Sequence, residues 1–172
     1  METETFATLV QVLQITVATS LIFIGGLSSC LSLWVLPLTK LLPPALACAQ
    51  FIQTVTWGLQ YLQPSSRILG ISLLTTALLT SYLPDPAQAE QWKTWAVALA
   101  ILAPVAPYEV YCIFPINDRV SEIREEVERG ANEEKAKKEL KALFSKWQFR
   151  NYGRVGIPLV AGIVGWYGIT RR

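Results

Sequence analysis

The sequence predicts an all-α fold: an integral membrane four-helix bundle with an extra amphipathic helix and a cytosolic helical hairpin. Of its 172 residues, 52% are hydrophobic and only 16% are charged, whereas soluble domains carry about 25% charged residues. Long uncharged stretches alternate with turns, and residues 117–147 hold most of the charge. We therefore expect a single membrane domain over residues 1–172.

The first predicted span covers residues 6–36, which carry no charge. At about 1.5 Å per residue this stretch exceeds the ~30 Å hydrocarbon core of a bilayer. Pro37 is expected to end the helix, because proline removes a backbone donor. Residues 44–62 are rich in glutamine and aromatic residues, with Gln50 and Trp57 near one helical face. They predict an amphipathic helix at the interface or against the bundle, and a full crossing stays open as the alternative.

Residues 67–83 and 92–114 are the second and third predicted spans, separated by a Pro-Asp-Pro turn. Residues 117–147 show apolar residues at helical spacing among many charges, with a break at Gly130. This pattern predicts a solvated helical hairpin. The second helix of the hairpin has no stop signal and is expected to continue into the fourth span, residues 152–170.

An even number of spans places both ends of the chain on one side of the membrane. The loop from residue 117 to residue 154 carries ten Lys and Arg residues, whereas none precedes the first span. The positive-inside rule therefore predicts a cytosolic loop. We expect an endoplasmic reticulum or other endomembrane location.

Composition argues against several classes of function. The chain has no histidine, and its three cysteines, Cys30, Cys48 and Cys112, are far apart in sequence. Neither a zinc nor an iron–sulfur site is expected, and no metal or cofactor is predicted. The net charge of +2 gives no reason to expect nucleic acid as a partner. Glycine and serine faces on the spans suit a homo-oligomer interface as well as internal packing.

Three polar side chains near the start of the fourth span share one helical column. Trp147, Asn151 and Arg154 are spaced i, i+4 and i+7. Arg154 lies where the span enters the hydrocarbon, and a charge there is costly and therefore usually paired or functional. Snorkelling to lipid headgroups is the alternative for Arg154 alone. The three residues together favour a site.

The groups facing this column are expected near the cytosolic end of the third span, where Tyr108, Glu109, Tyr111 and Asn117 lie. Glu109 is the only acid within residues 92–114. Two roles stay open for it: a structural ion pair with a nearby arginine, or a general base.

Several of these residues belong to a pattern that is already known. Pro115-x-Asn117, a charged helical stretch, Trp147-x-x-x-Asn151-x-x-Arg154 and a glycine-rich last span together resemble the DUF1772 family. That family includes the anthrone oxygenases of fungal and bacterial polyketide pathways. The order of segments is similar as well, so the resemblance extends over nearly the whole chain.

The resemblance implies that O2 oxidises the central methylene carbon of a tricyclic anthrone, giving an anthraquinone without a metal or flavin. It implies a small aromatic polyketide as the substrate, partitioning from membrane lipid. Glu109 departs from the family's pattern, and Asp118 or a water is an alternative base. The expected catalytic residues are Arg154, Asn151, Asn117 and Glu109, and the expected substrate-binding residues are Trp147, Tyr108, Tyr111, Gln50 and Trp57.

Two other classes of function remain open at this point. One is a membrane-bound cyclase or isomerase of secondary metabolism, which needs only shape, a proton donor and stabilisation of an anion. The other is a non-enzymatic four-span scaffold or binding protein, in which the polar column holds helices together.

Overall fold

A computed structural model describes residues 2–171, and the predicted domain's Met1 and Arg172 lie outside the described residues. The prediction of an all-α fold is confirmed, since the described residues form helices, turns and short loops with no strand among them. The elements in order are α1 (Glu2–Cys30), a π-helical segment (Leu31–Val35), α2 (Leu36–Thr39), α3 (Pro44–Ser81), α4 (Pro86–Ala89), α5 (Trp92–Leu102), α6 (Val105–Tyr108), a second π-helical segment (Glu109–Ile113), α7 (Phe114–Glu128) and α8 (Glu133–Thr170).

The prediction that Pro37 ends the first helix is wrong. The helical path continues through Pro37 to Thr39, after the π-helical turn Leu31–Val35. In that turn the N–H of Leu36 reaches back five residues to the carbonyl of Leu31. A proline clashes with the carbonyl four residues before it, and a wider turn relieves the clash without ending the helix.

The same arrangement recurs before Pro115. The N–H of Phe114 bonds to the carbonyl of Glu109, and the five residues Glu109–Ile113 form the second π-helical turn. Each π-helical turn is therefore followed, two residues later, by a proline. Widened turns of this kind are common at functional sites because they change which side chains face a neighbouring helix.

The predicted amphipathic helix, residues 44–62, and the predicted span, residues 67–83, form one continuous helix rather than two. This helix is α3, and Pro64 lies inside it. An interior proline bends a helix without necessarily ending it. The glutamine and aromatic face includes Gln53 and Trp57, which are exposed.

Two helical stretches among the described residues are long and apolar enough to cross a membrane, Thr3–Thr39 and Pro86–Glu128. The predicted spans 6–36 and 92–114 lie within them. Crossings by residues 67–83 and 152–170 stay predictions, as does the four-helix membrane bundle.

Contacts divide the described chain into two units, and the first contains the N-terminal part of α1, residues 64–104 and the chain from Gly156 onward. Its core includes Leu21, Leu73 and Trp95, all fully buried. Gln14 donates to the hydroxyl of Thr80 over 2.9 Å, so this span glutamine serves packing. At Gly162 an added Cβ would lie 2.9 Å from the Ala18 carbonyl oxygen, which requires glycine there.

The second unit comprises residues 27–63 and 105–155. Its core includes Cys48, Phe51, Val120 and Phe144. The hairpin between α7 and α8 turns at Gly130, where φ is +87°, a backbone conformation that favours glycine.

Ion pairs and a helix cap hold the hairpin together. Arg119 of α7 bonds to Glu139 of α8 over 2.8 Å, and this bond holds the pKa of the Glu139 carboxyl below its usual range. Asn132 caps α8 by accepting from the N–H of Lys135, and asparagine is among the residues preferred at this position.

Candidate functional site

Within the second unit, a largely buried ion pair joins the second π-helical turn to α8. Arg154 donates from Nε to Glu109 Oε1 over 2.7 Å, and the two side chains are 13% and 12% exposed. Glu109 is the first residue of the second π-helical turn, and Arg154 lies on α8. Two charges held together at such low exposure neutralise each other, and removing either one leaves the other poorly solvated.

A second polar contact lies beside the ion pair. The indole N–H of Trp147 donates to Asn117 Oδ1 over 3.0 Å. An indole nitrogen can only donate, so the atom of Asn117 that faces it must be the amide oxygen. This contact fixes the side chain and leaves the Asn117 NH2 group with two donors that have no partner within residues 2–171.

All four of these side chains line one pocket, together with Gln63 and apolar residues of α3. Its volume is about 20 Å³, enough for a water-sized molecule but far too small for a polycyclic one. The pocket therefore holds at most a small reactant beside the Glu109–Arg154 pair.

An open groove between α3 and α7 adjoins this pocket. Its volume is about 400 Å³, within the range of about 300–1,000 Å³ that small-molecule sites occupy. Asn117, Gln63 and Phe114 line both the groove and the pocket. The groove is also lined by Phe51, whose ring meets Trp147 edge-on at a centroid distance of 5.6 Å. Because Asn117 lines both the groove and the pocket, its side chain would lie between a flat aromatic molecule in the groove and the Glu109–Arg154 pair.

The structure does not bring Asn151 to this pocket. Its side chain is fully buried, and Nδ2 donates to the Ser28 carbonyl and the Ser32 hydroxyl, over 2.9 and 2.8 Å. On an α-helix, Asn151 lies about 40° to one side of Trp147, and Arg154 about 20° to the other. The predicted column is therefore wide enough for Trp147 and Arg154 to face the pocket while Asn151 faces α1.

Tyr108 is placed against α8 rather than in the pocket. Its hydroxyl donates to the Arg150 carbonyl over 2.6 Å. Its ring covers Gly153, where an added Cβ would lie 2.6 Å from Tyr108 Cζ. Arg150 in turn donates to the Cys112 carbonyl over 2.7 Å. These contacts fix the second π-helical turn against α8 and so position Glu109.

The other predicted substrate-binding residues lie outside the pocket and the groove. Tyr111 is 77% exposed and Trp57 is 59% exposed. Gln50 is half-buried on α3 and directly precedes Phe51 and Ile52, which line the groove. The structure thus assembles Glu109, Asn117, Trp147 and Arg154, and leaves the other five predicted site residues apart from them.

Several lining residues were not identified from the sequence as site residues. Thr54, Gly58 and Gln63 of α3 line the pocket, and Phe51 and Phe114 line the groove. Thr54 and Gly58 are four residues apart and lie on one face. This small and polar face of α3 was the available signal.

A comparison with known protein families identifies the family of this chain. The model of the anthrone oxygenase family matches residues 57–164, which is well over half of the chain. The protein belongs to the anthrone oxygenase family. No curated protein and no solved structure gives a significant match.

Membership in the anthrone oxygenase family confirms the resemblance seen in the sequence, and it indicates an enzyme of the oxygenase type. Glu109, Asn117, Trp147 and Arg154 all fall within the matched residues. The matched residues therefore include these four side chains of the pocket and six of the ten residues that line the groove, whereas Phe51, Ile52, Val55 and Thr56 precede the match.

Proposed function

We propose that this protein is an oxygenase that converts an anthrone-type aromatic polyketide into an anthraquinone with O2 and without a cofactor. The observation that carries the proposal is the Glu109–Arg154 pair, enclosed in a small pocket that adjoins a 400 Å³ groove. Family membership supports the reaction class.

The proposed chemistry needs no oxidant besides O2. The central methylene carbon of the anthrone loses a proton, and the resulting anion passes one electron to O2. Combination of the two radicals forms a carbon–oxygen bond, the resulting peroxide anion takes the proton back from the base, and the hydroperoxide then loses water to give the second carbonyl. One anthrone and one O2 give one anthraquinone and one H2O.

Residues of the pocket and of the groove have distinct roles in this reaction. Glu109 takes the methylene proton on Oε2 through a water molecule in the pocket, because the pocket is too small for the substrate itself and Oε1 accepts from Arg154. Asn117, which lines the groove, donates from its NH2 group to the substrate oxygen on which negative charge develops, and Arg154 adds its positive charge from the pocket behind Asn117. Trp147 orients Asn117 through its indole N–H. Phe51 and Phe114 offer ring faces and edges to the flat substrate in the groove.

The absence of histidine and the wide separation of the three cysteines in the sequence support a cofactor-independent reaction. Two helices suited to crossing a membrane support a membrane location, from which an apolar substrate would enter the groove. We propose an endomembrane location, with the charged hairpin in the cytosol, and glycine and serine faces available for a homo-oligomer.

Labelled oxygen tests the proposed reaction. Purified protein is incubated with anthrone under 18O2, and the anthraquinone is examined by mass spectrometry. The proposal predicts one 18O atom per anthraquinone formed above the spontaneous background. Turnover of a polyketide substrate without O2 uptake would instead indicate a cyclase or isomerase, and turnover of no substrate would indicate a scaffold.

A further inference from the structure

A second pocket in the same unit combines positive charge with an apolar floor. Three lysines line it: Lys40, which directly follows the candidate membrane helix Thr3–Thr39, and Lys137 and Lys141 on α8. Its apolar lining includes Leu42, Leu140 and Phe144, and its volume is about 220 Å³. None of the described residues lining this pocket is acidic.

The lysines are close enough to affect one another. Lys40 Nζ is held by Gln148 Oε1 over 2.8 Å and is only partly exposed. Burial, followed by the nearby charge of Lys141, lowers the pKa of Lys40. Lys137 and Lys141 are four residues apart on α8 and so lie on one face. A bound anion would relieve this repulsion.

This three-lysine pocket is separate from the candidate active site. The Phe144 ring that forms part of its floor packs against Phe51 at a centroid distance of 5.1 Å. Phe51 in turn lines the groove. None of Glu109, Asn117 and Arg154 lines the three-lysine pocket.

We propose that the three-lysine pocket binds an anionic lipid, with the acidic headgroup among Lys40, Lys137 and Lys141 and the start of the acyl chain over Leu140 and Phe144. The chemistry of the pocket matches both halves of such a molecule. Lysine ammonium groups bind phosphate as point charges. The position of Lys40, at the end of a helix suited to crossing a membrane, brings the pocket to headgroup depth.

Binding is tested on the full chain purified in neutral dodecyl maltoside, with dodecyl phosphate as the probe. Affinity is measured by calorimetric titration, and the Tm is followed in parallel. The double variant Lys137→Gln/Lys141→Gln should bind the probe about 30-fold more weakly, roughly fivefold for each lysine removed. The matched control is Lys135→Gln/Lys138→Gln, which removes two exposed lysines of the same helix outside the pocket.

Retained binding by the control, together with weakened binding by the pocket variant, supports the proposal. The single variant Lys141→Gln, with about a fivefold loss, gives the same answer if the double variant folds poorly. Equal losses in both double variants would overturn it, because they would indicate unspecific attraction of charge. Equal affinity for inorganic phosphate and dodecyl phosphate would also overturn it, because the acyl chain would then contribute nothing.

Discussion

Arg154 Nε and Glu109 Oε1 lie 2.7 Å apart, and each side chain is less than one-seventh exposed. The pair joins α8 to the π-helical turn that precedes α7 and forms one wall of the pocket. The two charges therefore serve the fold and the proposed chemistry together, and variants must separate these roles.

Removing one charge of this pair should cost more stability than removing both. Glu109→Gln or Arg154→Gln alone should lower the free energy of unfolding by about 3 kcal/mol, because the remaining charge stays poorly solvated. The double variant should recover most of that loss, whereas all three should lose oxidation activity. Denaturant titration measures the stability, and the exposed pair Glu90→Gln/Lys93→Gln is the control. A double variant that loses the sum of the single losses would contradict this view.

Asn117 should act through its NH2 group. Asn117→Ala should lower kcat by about 10²–10³ with little change in KM, which is the usual effect of removing a donor to a developing oxyanion. Trp147→Phe keeps a ring in place but removes the donor that orients Asn117, so its effect on kcat should be smaller. Steady-state kinetics on anthrone distinguish the two. An Asn117→Ala enzyme with wild-type kcat would exclude this role.

Asn151 should be a structural residue. Asn151→Ala leaves the Ser28 carbonyl and Ser32 hydroxyl without their buried donor, at a cost of about 2 kcal/mol in stability. Its kcat, measured well below the Tm, should stay within about fivefold of wild type, which corresponds to a loss of under about 1 kcal/mol in transition-state stabilisation. Loss of activity in a fully folded variant would restore the catalytic role predicted from the sequence.

Gly153 should tolerate no side chain. In Gly153→Ala the new Cβ would lie 2.6 Å from Tyr108 Cζ, so the ring must move and its bond to the Arg150 carbonyl is lost. We expect both a lower Tm and lower activity, because Tyr108 positions the turn that carries Glu109. The matched control is Gly156→Ala on the same helix, where nothing lies within 4 Å of the added Cβ. Equal effects of the two changes would contradict this explanation.

The polar residues of the pocket could largely be found from the sequence. A charged residue such as Arg154, at the start of an apolar stretch, needs a partner, and Glu109 is the only acid in the facing segment. The hairpin that brings these segments together was predicted from apolar residues at helical spacing and the break at Gly130. For both the ion pair and the hairpin, residues within a short stretch of sequence were sufficient for the prediction.

Other features depended on packing that the sequence does not display. Whether Asn151 faces the pocket or α1 depends on a few tens of degrees of helix rotation, which neighbouring helices decide. The continuation of the first helix through Pro37 depends on a π-helical turn, for which the sequence has no distinct signal. The contribution of α3 to the groove depends on its register against α7.

Oxygen uptake with anthrone as the substrate tests the central claim most directly. The wild-type protein should consume one O2 for each anthraquinone formed, well above the spontaneous rate measured without protein. The folded double variant Glu109→Gln/Arg154→Gln should fall to that spontaneous rate, and the control Glu90→Gln/Lys93→Gln should match wild type. A wild-type rate no higher than the spontaneous one, or a double variant as fast as wild type, would contradict the account.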